Sequence, residues 1–201
     1  MPPEERFVCR FAAEPPQDAL PYGRWAERLT EIVRDATAEL GAEVGELVFY
    51  PDRTWESVTY VPVTAPTAGG GEVFGFVDFA RADEETPEPH DFDATVDEAE
   101  SAEAGETLDL NQEVIGHWRG EQGQVAEMTL VWGRALVPNG AIVTAELGGV
   151  VVDQCHLDDG RFTLIAPDAY RGDELEVALW SSAGVELARE SIYEDEAADE
   201  A

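Results

Sequence analysis

The chain has 201 residues, long enough for one large domain or two small ones. It carries 44 Asp plus Glu against 12 basic residues, every one an arginine, for a formal net charge of −32. A surface of that sign repels phosphate backbones and anionic lipid, so direct nucleic-acid binding and membrane docking are not expected.

The charge is unevenly spread. Residues 81–113 hold thirteen acids against Arg81 alone, and the last eight residues hold five acids and no base. The other 160 residues carry 26 acids and 11 arginines, a net of −15. Acidic segments that keep themselves solvated account for this pattern better than a salt-rich cytoplasm or a DNA mimic, which would spread or order the acids over folded faces. No run approaches the ~18 apolar residues of a membrane span. The start, MPPEERFVCRF, is acidic and lacks the apolar stretch of a secretory signal. The expected location is the cytoplasm, or a particle assembled there, with Cys9 and Cys155 reduced.

In chain order, RFVCRFAA (6–13) alternates as a strand does. Trp25, Leu29, Ile32, Val33, Ala36 and Leu40 then form one helical stripe, with Pro21 suited to the first turn and Gly41 to the C-terminal cap. Strands follow at 46–50, 55–63 and 72–79, separated by PDRT and APTAGGG. The order β-α-β-β-β predicts a two-layer α+β domain over residues 1–80.

Residues 81–111 break the periodicity and are expected to be an acidic linker, at least partly disordered. Asp91, Asp93 and Asp97 do not make a calcium loop, because Val96 and Ala102 stand where an EF-hand needs glycine and glutamate. From 112 to 193 seven short strand-like runs predict a β-sandwich of immunoglobulin-like size. Asn139-Gly140, Gly148-Gly149 and Asp158-Asp159-Gly160 supply turns between several of them. Its run from Gly140 to Ala188 resembles, at the level of fold alone, the prealbumin-like and immunoglobulin-like modules appended to many bacterial proteins. An acidic tail, 194–201, closes the chain.

The densest group of reactive side chains is VVVDQCHLDDGRF (150–162). On a regular strand, Cys155 aligns with Val151 and Leu157 toward the core, while His156 aligns with Gln154 on the polar face. Neighbours on opposite faces cannot share a zinc ion or form a thiolate–imidazole pair, so the stretch reads as a β-hairpin turning at Asp158-Asp159-Gly160. His117 has no nucleophile near it in sequence, and His90 falls in the linker. No catalytic residue, metal ligand or cofactor is assigned.

One feature points outward. A single helix covers one sheet face, yet the N-terminal strands are apolar on both. Phe7, Cys9, Phe11, Leu47, Phe49, Val61, Val63, Val73, Val77 and Phe79 are in phase to meet the helix. Val48, Tyr50, Val58, Tyr60, Phe74 and Phe76 fall on the opposite face, together with Val8. An uncovered face of that kind needs an occupant: the β-sandwich folded back, a second copy, or a foreign partner or small ligand. The sequence therefore predicts a non-catalytic protein-binding or structural part of a larger assembly. Val58, Tyr60, Phe74, Phe76 and Tyr50 are its candidate contacts with a protein partner or a homo-oligomer. The alternative is a small-molecule-binding protein or enzyme with an aromatic pocket between the domains.

Overall fold

The computed structural model describes residues 25–99, 106–119, 125–170 and 172–193. The predicted strand at 6–13, the helix-opening Pro21 and the tail at 194–201 lie outside the described residues. Within them the protein is mostly β-sheet with one α-helix.

Helix α1 (Ala26–Leu40) buries Leu29, Val33 and Thr37, one residue per turn on one face. Thr37 takes the third-turn position, and its hydroxyl donates to the Arg34 carbonyl at 3.0 Å. Leu40, expected in the stripe, is 48% exposed in the last turn. Gly41 ends the helix at φ 77°, a left-handed conformation that costs glycine nothing.

The helix lies on an antiparallel sheet of β1 (Val48–Phe49), β2 (Arg53–Trp55), β3 (Val58–Pro66), β4 (Glu72–Ala80) and β5 (His90–Ala99). The order is β1-β3-β4-β5, with β2 also pairing with β3. Two expectations are corrected here. The single strand predicted at 55–63 is broken by a turn at Glu56, whose φ is 56°, so Trp55 ends β2 and pairs with Val58 at the start of β3. The predicted linker is, over His90–Ala99, a ten-residue strand paired with β4. Phe92, Ala94 and Val96 pack on the helix–sheet core, while Asp91, Asp93 and Asp97 point away. Phe92 stacks on Phe79 at 4.7 Å, and the Arg28 guanidinium stands 4.2 Å over its ring.

Seven further strands occur where the periodicity puts them: β6 (Leu108–Arg119), β7 (Val125–Ala135), β8 (Gly140–Leu147), β9 (Val150–His156), β10 (Arg161–Asp168), β11 (Leu175–Ser181) and β12 (Glu186–Ser191). β6 begins at Leu108, inside the span predicted as linker, and Leu108 is buried. The strands form two sheets, β10-β7-β6 and β12-β11-β8-β9. Their facing sides share one apolar core, with Val131, Phe162 and Leu164 from the first meeting Val143, Val177 and Leu179 from the second. Gly148 and Gly149, at φ 57° and 74°, make the two-residue turn between β8 and β9.

The sheet β10-β7-β6 is apolar on its other side too. Leu130 and Trp132 of β7 and Ile165 of β10 project toward the first sheet, while Val131 and Leu164 project toward the four-stranded one. The sequence of layers is helix, five-stranded sheet, three-stranded sheet, four-stranded sheet, with an apolar core at each contact.

Candidate functional site

The face of the first sheet opposite the helix is the place singled out by its aromatic residues. Tyr50, Tyr60 and Phe76 are buried there, and Val48, Val58 and Phe74 are partly buried beside them. The residues pointing at them are Met128, Leu130 and Trp132 of β7 and Ile165 of β10, all fully buried. Tyr60 meets Phe76 edge-on at 5.7 Å, and Phe76 meets Trp132 edge-on at 6.5 Å. Phe74 lies 6.3 Å from the same indole. Of the three occupants the sequence allowed, the one present is the chain's own strands.

Polar contacts cross the same seam. Arg53 of β2 forms an ion pair with Asp153 of β9, and their side chains are only 3% and 6% exposed. The second Asp153 oxygen accepts the Ile165 N–H at 2.9 Å, so one carboxylate ties together three strands from three sheets. Burial pushes the Asp153 carboxyl up; the Arg53 charge and the N–H donors of Ile165 and Gln154 pull it back. Arg161 of β10 donates to the Phe49 carbonyl of β1 at 3.0 Å. Gly116 of β6 sits against the Trp55 ring so closely that a Cβ there would lie 2.6 Å from it.

Burial sets the chemistry of the tyrosines. It raises the Tyr50 phenol, whose oxygen is 3.4 Å from the Thr64 hydroxyl. Burial, followed by the carboxylates of Asp78 and Glu56, pushes Tyr60 up to about 12. Both phenols keep their protons at neutral pH, which suits packing rather than proton transfer.

The Cys155 neighbourhood divides as strand alternation requires, with two corrections. Cys155 and Leu157 pack on the apolar core shared by the three- and four-stranded sheets, and His156 is exposed. Val151, however, is 47% exposed, and Val152 turns inward in its place. The cause is an irregularity in register: Ala145 pairs with Asp153 and Glu146 with Val151, leaving Val152 as the extra residue. Second, the tight turn forms, with Asp158 and Arg161 bonded to each other by both backbone groups at 2.9 Å, but no two-strand hairpin follows. Past that bridge β9 pairs with β8 and β10 with β7, so the turn carries the chain from one sheet to the other.

Burial holds the Cys155 thiol at about 12, far from the range of a reactive thiolate. Among the described residues no group of three or more His, Cys, Asp and Glu could hold a metal ion. His117 is exposed on β6, and His90 opens β5 with its ring nitrogen 3.7 Å from the Asp91 carboxylate. Sequence reasoning missed Arg53 and Asp153, although an aspartate amid the valines of β9 was a visible sign of a buried partner.

No protein-family model, curated protein or solved structure matches the chain.

Proposed function

We propose that the protein works by binding rather than by chemistry, as an adaptor or structural component of a larger assembly. In this reading an N-terminal α+β unit is held in a set relation to a C-terminal immunoglobulin-like β-sandwich. The observation that carries it is the seam: Tyr50, Tyr60, Phe74 and Phe76 are spent on packing against Met128, Leu130, Trp132 and Ile165. A chain that uses its aromatic surface and a buried ion pair to fix two units together presents their outer edges in constant geometry, which is what an assembly part needs.

The strand order supports the sandwich reading. Taken as strands A to G, the two sheets are A-B-E and G-F-C-C′, with β9 as C′. A constant-type immunoglobulin domain puts its fourth strand, D, beside E instead, so the likeness is to the sandwich architecture rather than to that subtype. The alternative, a ligand pocket between the units, would require the Trp132 ring to leave the space it fills between Phe74 and Phe76.

With this face turned inward, the partner contacts fall to the outer edges of the sheets. The test is purification of the full chain from its native source under mild conditions, followed by mass determination by light scattering. The binding reading expects a complex of fixed stoichiometry well above the 21.9 kDa of one chain. A monodisperse single chain, active in turnover of a small molecule found bound to it, would replace this reading with the alternative.

A further inference from the structure

Among the described strands of the two C-terminal sheets, β12 alone has no buried residue, whereas its neighbour β11 buries Leu175, Val177, Ala178 and Leu179. Leu187, Ala188 and Ile192 are only partly buried against the core these sheets share. A strand with so little apolar burial depends on its backbone ladder and on the polar contacts of its side chains. Those contacts begin with Arg189. Its guanidinium bonds Glu146 of β8 at 2.9 Å and Glu176 of β11 at 3.2 Å, and so supplies a cation to the buried Glu146 carboxylate.

The anchors continue past the end of the strand and cross to the other sheet. One Glu190 carboxylate oxygen accepts the N–H groups of Thr107 and Leu108, at 3.2 and 3.0 Å, where β6 begins. Gln112 of β6 donates to the Ile192 carbonyl at 2.9 Å. The Tyr193 hydroxyl donates to one oxygen of Asp168, the buried last residue of β10. The other Asp168 oxygen accepts the N–H of Ala169 at 2.7 Å and of Leu175 at 3.0 Å, bracing both ends of the crossover to β11. Ala169 stands there at φ 50°, a left-handed conformation that an alanine keeps only where its surroundings hold it. Burial, the bond to Asp168 and the charges of Asp168, Glu127 and Glu174 hold the Tyr193 phenol above its ordinary value, so it remains a donor at neutral pH. β6 and β10 are the outer strands of the three-stranded sheet, and residues 186–193 are bound to both.

We propose that residues 186–193 are a releasable strap, which leaves and rejoins the two sheets as one unit far more often than the whole chain unfolds. Little apolar surface is exposed when the strap opens, so opening costs much less than global unfolding. Its anchors are spread over β6, β8, β10 and β11, so freeing one end loosens the other. Opening takes the acceptor from Thr107 and Leu108, the donor from Asp168 and the cation from Glu146 in a single event. The chain thereby gains a second state that differs from the closed one at this side of the two sheets.

Hydrogen exchange on the full chain reads this amide by amide. In the unaltered protein the β12 amides bonded to β11 and the amides of Thr107 and Leu108 should share one degree of protection, about 100-fold or more below that of the interior of β7. Tyr193→Phe removes a donor that touches neither β6 nor the β12 ladder, yet it should speed exchange at Thr107 and Leu108 by about 10-fold. Glu190→Ala should do the same at Leu175, whose amide is held by Asp168. β7 should be unchanged in both variants. Effects confined to each variant's own partners overturn the proposal, as does protection in β12 equal to that of β7. A variant that loses protection in β7 as well has unfolded globally, and the comparison of β12 with β7 in the unaltered chain then decides alone.

Discussion

The two faces of the first sheet are both apolar, yet they are closed in different ways. The helix face is covered by α1, which precedes β1 by a few residues, with Leu29 and Val33 meeting Val61, Val63 and Val77. The opposite face is covered by β7 and β10, which begin about 60 and 100 residues after β3 ends. The helix face mixes aliphatic side chains with Phe49, Phe79 and Phe92, and its cover is the segment just before the sheet in the chain. The seam is aromatic and carries a buried ion pair as well as apolar contacts. The helix is joined to β1 and β3 by a shorter stretch of chain than separates β3 from β7 and β10, and closing the longer loop costs more entropy. Large rings bury more apolar surface per residue at the interface that needs it.

Substitutions on the two faces should therefore differ in reach. The largest effect is expected at Trp132, which is fully buried between Phe74 and Phe76. Trp132→Ala should cost about 3–5 kcal/mol in a denaturant titration, and amide exchange should quicken in both the first sheet and the three-stranded sheet. Changing Phe74 and Phe76 together to serine should likewise unfold the protein rather than merely free a surface. By contrast Leu29→Ala, at a fully buried position of the helix core, should cost about 2–5 kcal/mol and quicken exchange in α1, β4 and β5 while sparing β8 and β11. Equal spread from both sites would erase the distinction between a local and a distant cover.

The ion pair sharpens the comparison. Arg53→Met leaves the Asp153 carboxylate buried without its cation and should cost about 3–5 kcal/mol. Arg53→Met with Asp153→Leu should recover most of that loss, since an apolar pair of similar size avoids both desolvation costs. A double-mutant cycle in urea reads the coupling, and additive losses would show that the pair does not act across the seam.

A smaller effect is expected where β6 meets β2. Gly116→Ala puts a methyl group 2.6 Å from the Trp55 ring and should destabilise by about 1–3 kcal/mol as the indole is pushed aside. Tryptophan fluorescence should shift with it. The smallest effect is chemical. In a Cys9→Ser chain, Cys155 should resist a thiol reagent at pH 8 until denaturant is added. A thiol near 12 is only about one part in ten thousand thiolate at that pH, and burial restricts access further. Rapid labelling of the native chain would mean that this end of the four-stranded sheet opens readily.

Much of this was legible in the sequence because alternation is a local signal. The seven C-terminal strands, the helix and its Gly41 cap, and the two-sided apolar character of β3 and β4 all follow from spacing alone. Tyr50, Val58, Tyr60, Phe74 and Phe76 were placed on one face by counting in twos, and they share that face. β5 was misread because its acids hid the alternation of Phe92, Ala94 and Val96, which needs the helix above it to become a core. The inward turn of Val152 was hidden as well, since one extra residue in a strand leaves no mark in composition.

The sequence by itself determined the helix, the seven C-terminal strands, and that the first sheet needed covers on both faces. These depend on interactions within a few residues, where chain geometry leaves few alternatives. Only the tertiary structure decided what the second cover is, and that Arg53 meets Asp153 across 100 residues of chain. The parting of β9 from β10 into different sheets was settled there too. Those outcomes rest on which distant surfaces fit together once loop-closure entropy and desolvation are set against burial, and no local pattern encodes that balance.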